Sequence, residues 1–249
     1  MSDIISFIGY WLQYNGNVLC GDPYNPLWLP PFTIRCKFYS GYTPTMGDSQ
    51  TLVDSTDNVW DITKNSTDWT DLFFFSGVTE VLGANSTGVT NMFEMFRSCG
   101  QLTSVSLFDT RSVTNMNSMF KSCATLTSVP LFDTGSVTNM GSMFYDCDYL
   151  TSVPLFDTSS VTNMSAMFQN CDRLASVPLL DTSSVTNMNY TFYNCLYVES
   201  GALALYQQAS SQSTPPASHI YPFLNCGSNT VTGQAELAQI PTSWGGTAA

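Results

Sequence analysis

From Val89 to Leu196 the chain repeats itself with a period of 24 residues. Val-Thr-Asn-Met recurs from Val89, Val113, Val137, Val161 and Val185. Phe follows at Phe96, Phe120, Phe144, Phe168 and Phe192, then Cys at Cys99, Cys123, Cys147, Cys171 and Cys195. Each copy continues through Leu102, Leu126, Leu150 or Leu174 into a run ending in Asp-Thr at Thr110, Thr134, Thr158 and Thr182. A unit this short cannot bury an apolar face by itself, so a fixed period of this size requires a stack in which each coil covers its neighbour.

The pattern fades at both ends. Counting back 24 residues places Val81 under Val105, Val78 under Leu102 and Phe75 under Cys99, which makes Trp69 to Gly88 an eroded first coil. Leu196-Tyr-Val198 starts a further coil and breaks off at Glu199. End coils of a solenoid have to differ from inner ones, because an inner coil at an end would expose the core.

Within a unit, Val113, Met116, Met119, Phe120 and Cys123 recur every three or four residues, the spacing of one helical face. Ser, Thr and Asn ahead of them suit N-caps. Leu126, Val129 and Leu131 then read as a short strand. The expected architecture is therefore an α/β solenoid of 24-residue helix-plus-strand coils with a short parallel sheet. Pro130, Pro154 and Pro178 fall in register inside that strand, where proline cannot donate to a ladder, so the strands should be very short.

Residues 1–68 read as a strand-rich head, 69–198 as the solenoid and 199–249 as a helical cap. In the head, Asn15-Gly16 between apolar stretches signals a hairpin. Phe32 to Phe38 alternates like a half-buried strand, with a further short pair at Thr51-Leu-Val and Val59-Trp60, and Pro23, Pro26, Pro30 and Pro31 form a linker. In the cap, Ala202, Leu203, Leu205, Tyr206 and Ala209 mark a helix, and Ala235 to Ile240 a second, shorter one.

The run Val161-Thr-Asn-Met-Ser-Ala-Met-Phe-Gln-Asn-Cys171, followed by Leu174-Ala-Ser-Val-Pro-Leu179 and Asp181-Thr, resembles the BspA-like leucine-rich-repeat surface proteins of gut Bacteroidetes, mycoplasmas and some protists. The resemblance covers about Leu72 to Val198. Leu29 to Arg35, Gly41 to Pro44 and Val59 to Ile62 are similar to the head of such proteins in gut bacteria and their phages. The resemblance implies a leucine-rich-repeat fold and a non-enzymatic role in adhesion, with protein or cell-surface glycan as partner and no catalytic residues or cofactors. Three settings are consistent with it: a phage tail or fibre protein contacting the host, a secreted bacterial adhesin, or a structural spacer subunit of a virion. A fibre protein would be expected to form a homo-trimer or to join other virion subunits.

Charge narrows the partner. Only 10% of residues are charged, and the formal net charge is −12 with seven Lys+Arg. That leaves no basic stripe for nucleic acid, and a Ser-, Thr- and Asn-rich surface suits neutral polar ligands. No apolar run approaches the length of a membrane span, so no membrane insertion is expected. Met1 to Tyr10 lacks the basic start of a signal peptide, which fits a virion, whereas a secreted adhesin would be extracellular or on the cell surface.

Catalytic chemistry has little to work with. His219 is the single histidine and has no nucleophile or acid at an informative spacing. The cysteine column, odd in number and uniform in orientation, reads as buried reduced thiols and not as disulfides or a metal site. Cys20 and Cys36 could pair in the head. The Asp109, Asp133, Asp157 and Asp181 column reads foremost as turn caps, with calcium bridging second and glycoside hydrolysis last. Asp54 to Asp61 resembles a calcium loop but lacks its Gly and Glu.

A binding face is expected where Leu107-Phe108, Leu131-Phe132 and Leu155-Phe156 adjoin, because neighbouring strand residues face opposite sides. If Leu fills the core, then Phe108, Phe132 and Phe156 form an exposed aromatic stripe. Ser104, Ser128 and Ser152 and Asp109, Asp133 and Asp157 would rim it. A bend after the strand would bury the Phe residues instead.

Overall fold

A computed structural model describes residues 29–248 in full, together with the backbone of three strands ahead of them. Apart from the backbone of these strands, Met1 to Tyr10, the Asn15-Gly16 turn, the Cys20 side chain and the prolines Pro23 and Pro26 lie outside the described residues. The three strands, β1 (Ser6–Ile8), β2 (Trp11–Tyr14) and β3 (Asn17–Cys20), pair antiparallel in that order.

A second sheet follows, built from β4 (Thr33–Phe38), β5 (Ser49–Asp54), β6 (Val59–Thr63), β7 (Val78–Asn85) and β8 (Ser104–Val105), in the order β5-β6-β4-β7-β8. Arg35 and Asp61, paired across β4 and β6, close a two-pronged ion pair with both contacts at 2.7 Å. β7 belongs to the eroded first coil, yet it pairs antiparallel with β4 of the head and parallel with β8 of the next coil. The sheet therefore runs on from head to solenoid, and one apolar core extends from Ile34 to Trp244.

The helix expected in each coil is not formed. Residues 116–123 make a ribbon of consecutive turns, with Met119 N–H on the Met116 carbonyl, Lys121 on Ser118 and Cys123 on Phe120. Ser118 and Ser122 lie at φ 57° and 59°, and the same two positions are left-handed in every coil. A positive φ at the third residue suits a type II turn and cannot continue an α-helix. The alternate N–H groups of Met116, Ser118, Phe120 and Ser122 are thereby turned along the stack, onto the carbonyls of Asn139, Gly141, Met143 and Tyr145 one coil on. A helix would have spent those groups internally.

The parallel sheet is also shorter than expected, β7 with β8 being its one pair of strands among the described residues. The Ser106 N–H donates to the Val81 carbonyl, but the matching positions in the next coils are Pro130, Pro154 and Pro178, which have no N–H to give. The stack is held instead by the turn ribbon and by side chains. Six ring pairs run from Phe73 through Phe96, Phe120, Phe144, Phe168 and Phe192 to Phe223, at centroid spacings of 5.0–6.0 Å with planes within 14° of parallel. Each column thiol reaches back to a Phe carbonyl of the preceding coil, as Cys171 does to Phe144 at 3.0 Å.

Both ends differ from expectation. In the first coil, the ladder pairs Asp68 with Asn91, Phe73 stacks on Phe96, and Ser76, not Phe75, meets Cys99. That coil is one residue short before β7, and Phe75 is left 71% exposed. At the far end the stack goes on past Glu199. α1 (Ala202–Ser210) and the Pro215-Pro216 stretch loop out, after which Met188, Tyr190, Phe192 and Asn194 donate to Ser218, Ile220, Pro222 and Leu224. This hidden terminal coil buries Phe223 and Cys226. The second cap helix, α2, spans Val231–Leu237 and not Ala235 to Ile240; Thr230 caps its start by accepting from Gly233 N–H. Glu236 in turn accepts from the Gly201 and Leu203 amides at the start of α1. Among the described residues no helix is long and apolar enough to cross a membrane.

Candidate binding face of the solenoid

The four Leu-x-x-Val runs end at a corner that decides which side chains meet solvent. At two of the corners the chain makes a three-residue turn, with Phe132 N–H on the Pro130 carbonyl at 3.0 Å and Leu180 N–H on Pro178 at 2.9 Å. An i to i+2 bond of this kind throws the middle residue outward and returns the next one to the core. The expected aromatic stripe is therefore overturned: Phe108, Phe132 and Phe156 are 5%, 1% and 2% exposed. Phe132 packs on Phe120 and Phe156 on Phe144, both pairs at 6.3 Å. The outward residues are Leu107, Leu131, Leu155 and Leu179, at 56%, 58%, 64% and 54% exposed.

The corner is fixed from below by the residues after it. Buried Thr110, Thr134 and Thr158 donate through Oγ1 to the carbonyls of Asp133, Asp157 and Asp181 one coil on, at 2.7–2.8 Å. The carboxylates of the Asp column accept from the amide two residues on: Asp109 from Arg111, Asp133 from Gly135, Asp157 from Ser159 and Asp181 from Ser183. The Asp109 carboxylate is further clasped by the Arg111 guanidinium, which holds it down at about 2. Hydrogen bonding from Ser159 likewise lowers Asp157.

Of the residues read from sequence as a site, Asp109 and Asp133 come together with Leu107, Leu131 and Arg111 around a cleft of about 540 Å³ beside Asn85 and Thr87. Phe108 lines its floor. Ser104, Ser128 and Ser152 are exposed but lie outside that lining, and Asp157 stands one coil further along. The Leu column was missed as a binding feature because a strand's alternation does not predict a γ-turn. The proline preceding Leu131 and Leu179 was the available signal.

Other candidates resolve into structure. Cys36 and the column cysteines are free, buried thiols. His219 stacks on Trp244 at 4.3 Å, with Nδ1 against the Pro216 carbonyl at 2.9 Å. In the Asp54 loop, the Asp54 carboxylate accepts from the amides of Thr56 and Asp57.

The profile of a family described as "Mycoplasma protein of unknown function, DUF285" matches residues 67–175 and again 89–204, together more than half of the chain. The chain belongs to this family. The DUF285 matches span the coils from Asp68 to α1, the region held by the turn ribbon and the Phe stack. Among solved structures, a leucine-rich repeat protein from Eubacterium ventriosum is similar at 21% identity and a TM-score of 0.34, over 47% of this chain and 37% of that one. No protein of curated function matches this DUF285 chain.

Proposed function

We propose that this protein is a non-enzymatic binding module that docks a protein or a cell-surface glycan along the Leu107, Leu131, Leu155 and Leu179 column. The observation that carries the reading is the exposure of four aliphatic side chains at one position of successive coils, each more than half open to solvent. An isolated exposed Leu needs no explanation, whereas an aligned row rimmed by polar groups has the composition of a contact surface. The Asp rim and the −12 net charge favour a neutral or basic partner.

The setting proposed is a particle or cell surface. A phage tail or fibre, with the chain as a trimer or beside other virion subunits, rests on the resemblance of the head alone; a secreted bacterial adhesin is the second reading.

The test compares labelled full-length protein with the Leu131→Asp/Leu155→Asp variant on intact gut bacterial cells and on immobilised capsular glycans. Binding by the parent and its loss in a normally folded variant is the expected result. Equal binding by both, binding by neither, or release of reducing ends from the glycans would refute the reading.

A further inference from the structure

The head carries a second concave feature, separate from the Leu column. A cleft of about 510 Å³ opens between the end of β4, the segment after it and the β5–β6 connection. Tyr39, Tyr42 and Trp60 line it, with Ser40, Thr43, Ser55, Thr56, Asp57 and Asn58 supplying hydroxyl, carboxylate and amide groups. Its volume lies in the range of small-ligand sites.

The aromatic side chains are held in place. Asn58, at φ 53°, donates through Nδ2 to the carbonyls of Tyr39 and Tyr42 at 2.9 and 2.8 Å and accepts the Trp60 indole N–H at 2.8 Å. One left-handed residue thus ties all three aromatic positions together. Tyr42 stacks on buried Phe38 at 5.2 Å, within 10° of parallel. Gly77 lies against both tyrosines: a Cβ there would come within 2.3 Å of the Tyr39 ring and 2.7 Å of Tyr42. Tyr39 nonetheless stays 41% exposed. A rigid, half-open aromatic surface surrounded by short polar groups is preorganised for a ligand that is apolar on one face and polar at its edge.

We propose that this cleft binds a neutral pyranose unit of a glycan. A pyranose presents a face of C–H groups, slightly positive, to the negative face of an aromatic ring. Its equatorial hydroxyls then meet the hydroxyl, amide and carboxylate groups at the rim. The charge around the cleft selects against acidic sugars. Lys37, the cation lining it, is engaged by Asp57 at 3.6 Å and Glu80 at 3.9 Å, and the chain as a whole carries −12.

The test uses the full chain with hexaoses of glucose, mannose and galactose, and oligogalacturonate as the anionic comparator, read by saturation-transfer NMR. At least one neutral hexaose should bind, and Tyr39→Ala should weaken it about tenfold or more, as loss of an aromatic anchor does. Tyr39 is exposed enough for that variant to fold, which its melting curve verifies. Trp60→Phe, which keeps a ring at the third aromatic position, should retain most of the affinity. Leu131→Asp should leave binding of these free hexaoses unchanged. The capsular-glycan comparison of Leu131→Asp/Leu155→Asp is made in the Tyr39→Ala background, where the head cleft no longer contributes, so failure here and failure of the solenoid reading remain distinguishable. The proposal is overturned if no neutral hexaose binds, if Tyr39→Ala binds as the parent does, if oligogalacturonate is preferred, or if Leu131→Asp abolishes the signal.

Discussion

The Cys147 thiol donates to the main-chain carbonyl of Phe120, one coil back, at 3.1 Å. The same bond joins Cys99 to Phe73, Cys123 to Phe96, Cys171 to Phe144 and Cys195 to Phe168. The Phe120 carbonyl already receives the Cys123 amide at 3.1 Å, so the thiol fills its second lone pair where no water reaches. Cysteine is small enough for the core and still carries a donor, which Ala or Val at this position would lack.

That arrangement fixes how the thiols titrate. Burial, the largest cause, pushes Cys123, Cys147, Cys171 and Cys195 above their ordinary value of 9.0 and Cys99 up to about 12. A thiol that ionises less readily when folded contributes stability that is complete below pH 9.0 and is lost as pH rises from there through the folded value. Melting temperature should therefore fall above about pH 9 more steeply in the parent than in Cys147→Ser, which keeps a donor but does not ionise in this range. Native Cys147 should resist alkylation until the chain is unfolded. Cys147→Ala should cost about 1–2 kcal/mol in urea titrations, because one acceptor site is left empty and a small void opens. Rapid alkylation of the native protein would contradict the buried column.

The left-handed turn positions give a second prediction. Ser122 at φ 59° holds an L-residue where Cβ meets the following carbonyl. Ser122→Gly removes that cost of about 1–2 kcal/mol but frees the unfolded chain by about 0.5–1, so a gain of up to about 1.5 kcal/mol is expected. Ser122→Val should instead lose about 2 kcal/mol, since a β-branched side chain tolerates this region worst. Equal effects of the two substitutions in denaturant unfolding would mean that the turn ribbon is misassigned.

Those turns also explain what could and could not be read from sequence. The period, the inward Met, Phe, Cys and Leu columns and the stacking follow from the repeat itself, because identical residues at one interval must share one environment. The helix did not follow. Apolar positions at Met116, Met119, Phe120 and Cys123 fit a turn ribbon as well as a helical face, and the left-handed positions hold Ser118, Ala166 and Tyr190 with no glycine to betray them. The last coil was hidden by spacing and not by chemistry. Tyr221-Pro-Phe-Leu-Asn-Cys226 repeats Tyr190-Thr-Phe-Tyr-Asn-Cys195 at an interval of 31, because α1 and the loop after it lengthen the connection. At the candidate site the dipeptide was legible and its orientation was not: of the exposed Phe stripe and the bend that buries it, the bend is the one formed, and the γ-turn bond from Phe132 to Pro130 is a local event that alternation cannot encode.

Adjacent residues at the corner should behave in opposite ways. Phe132 is 1% exposed and contacts both Phe108 and Phe120, so Phe132→Ala should cost about 3–5 kcal/mol, as buried aromatic truncations do. Phe144→Ala, mid-stack between Phe120 and Phe168, belongs in the same range. Leu131 is 58% exposed, and Leu131→Ala should change stability by less than about 0.5 kcal/mol while weakening any partner seated on the column. Thermal and urea melts of the variants separate the two roles; a large stability loss from Leu131→Ala would return that residue to the core and remove the proposed face.

The terminal coil supplies the last prediction. Phe192 and Cys195 are fully buried only because Phe223 and Cys226 lie over them, with the Phe223 ring 6.0 Å from Phe192 and 2° from parallel. The ladder bonds that Tyr190, Phe192 and Asn194 donate would lose their acceptors Ile220, Pro222 and Leu224 if this segment were removed. A chain ending at Pro215 should therefore expose an inner coil as its end and aggregate, or melt well below the parent. Phe223→Ala is the milder version and should cost about 3 kcal/mol or more. Its effect should be concentrated in the last coils: amide exchange of Tyr190, Phe192 and Asn194 should accelerate, while that of Met116 and Phe120 stays slow. Uniform acceleration along the stack would show that the solenoid unfolds as one unit, and no acceleration at Phe192 would show that residues 216–227 do not cap it.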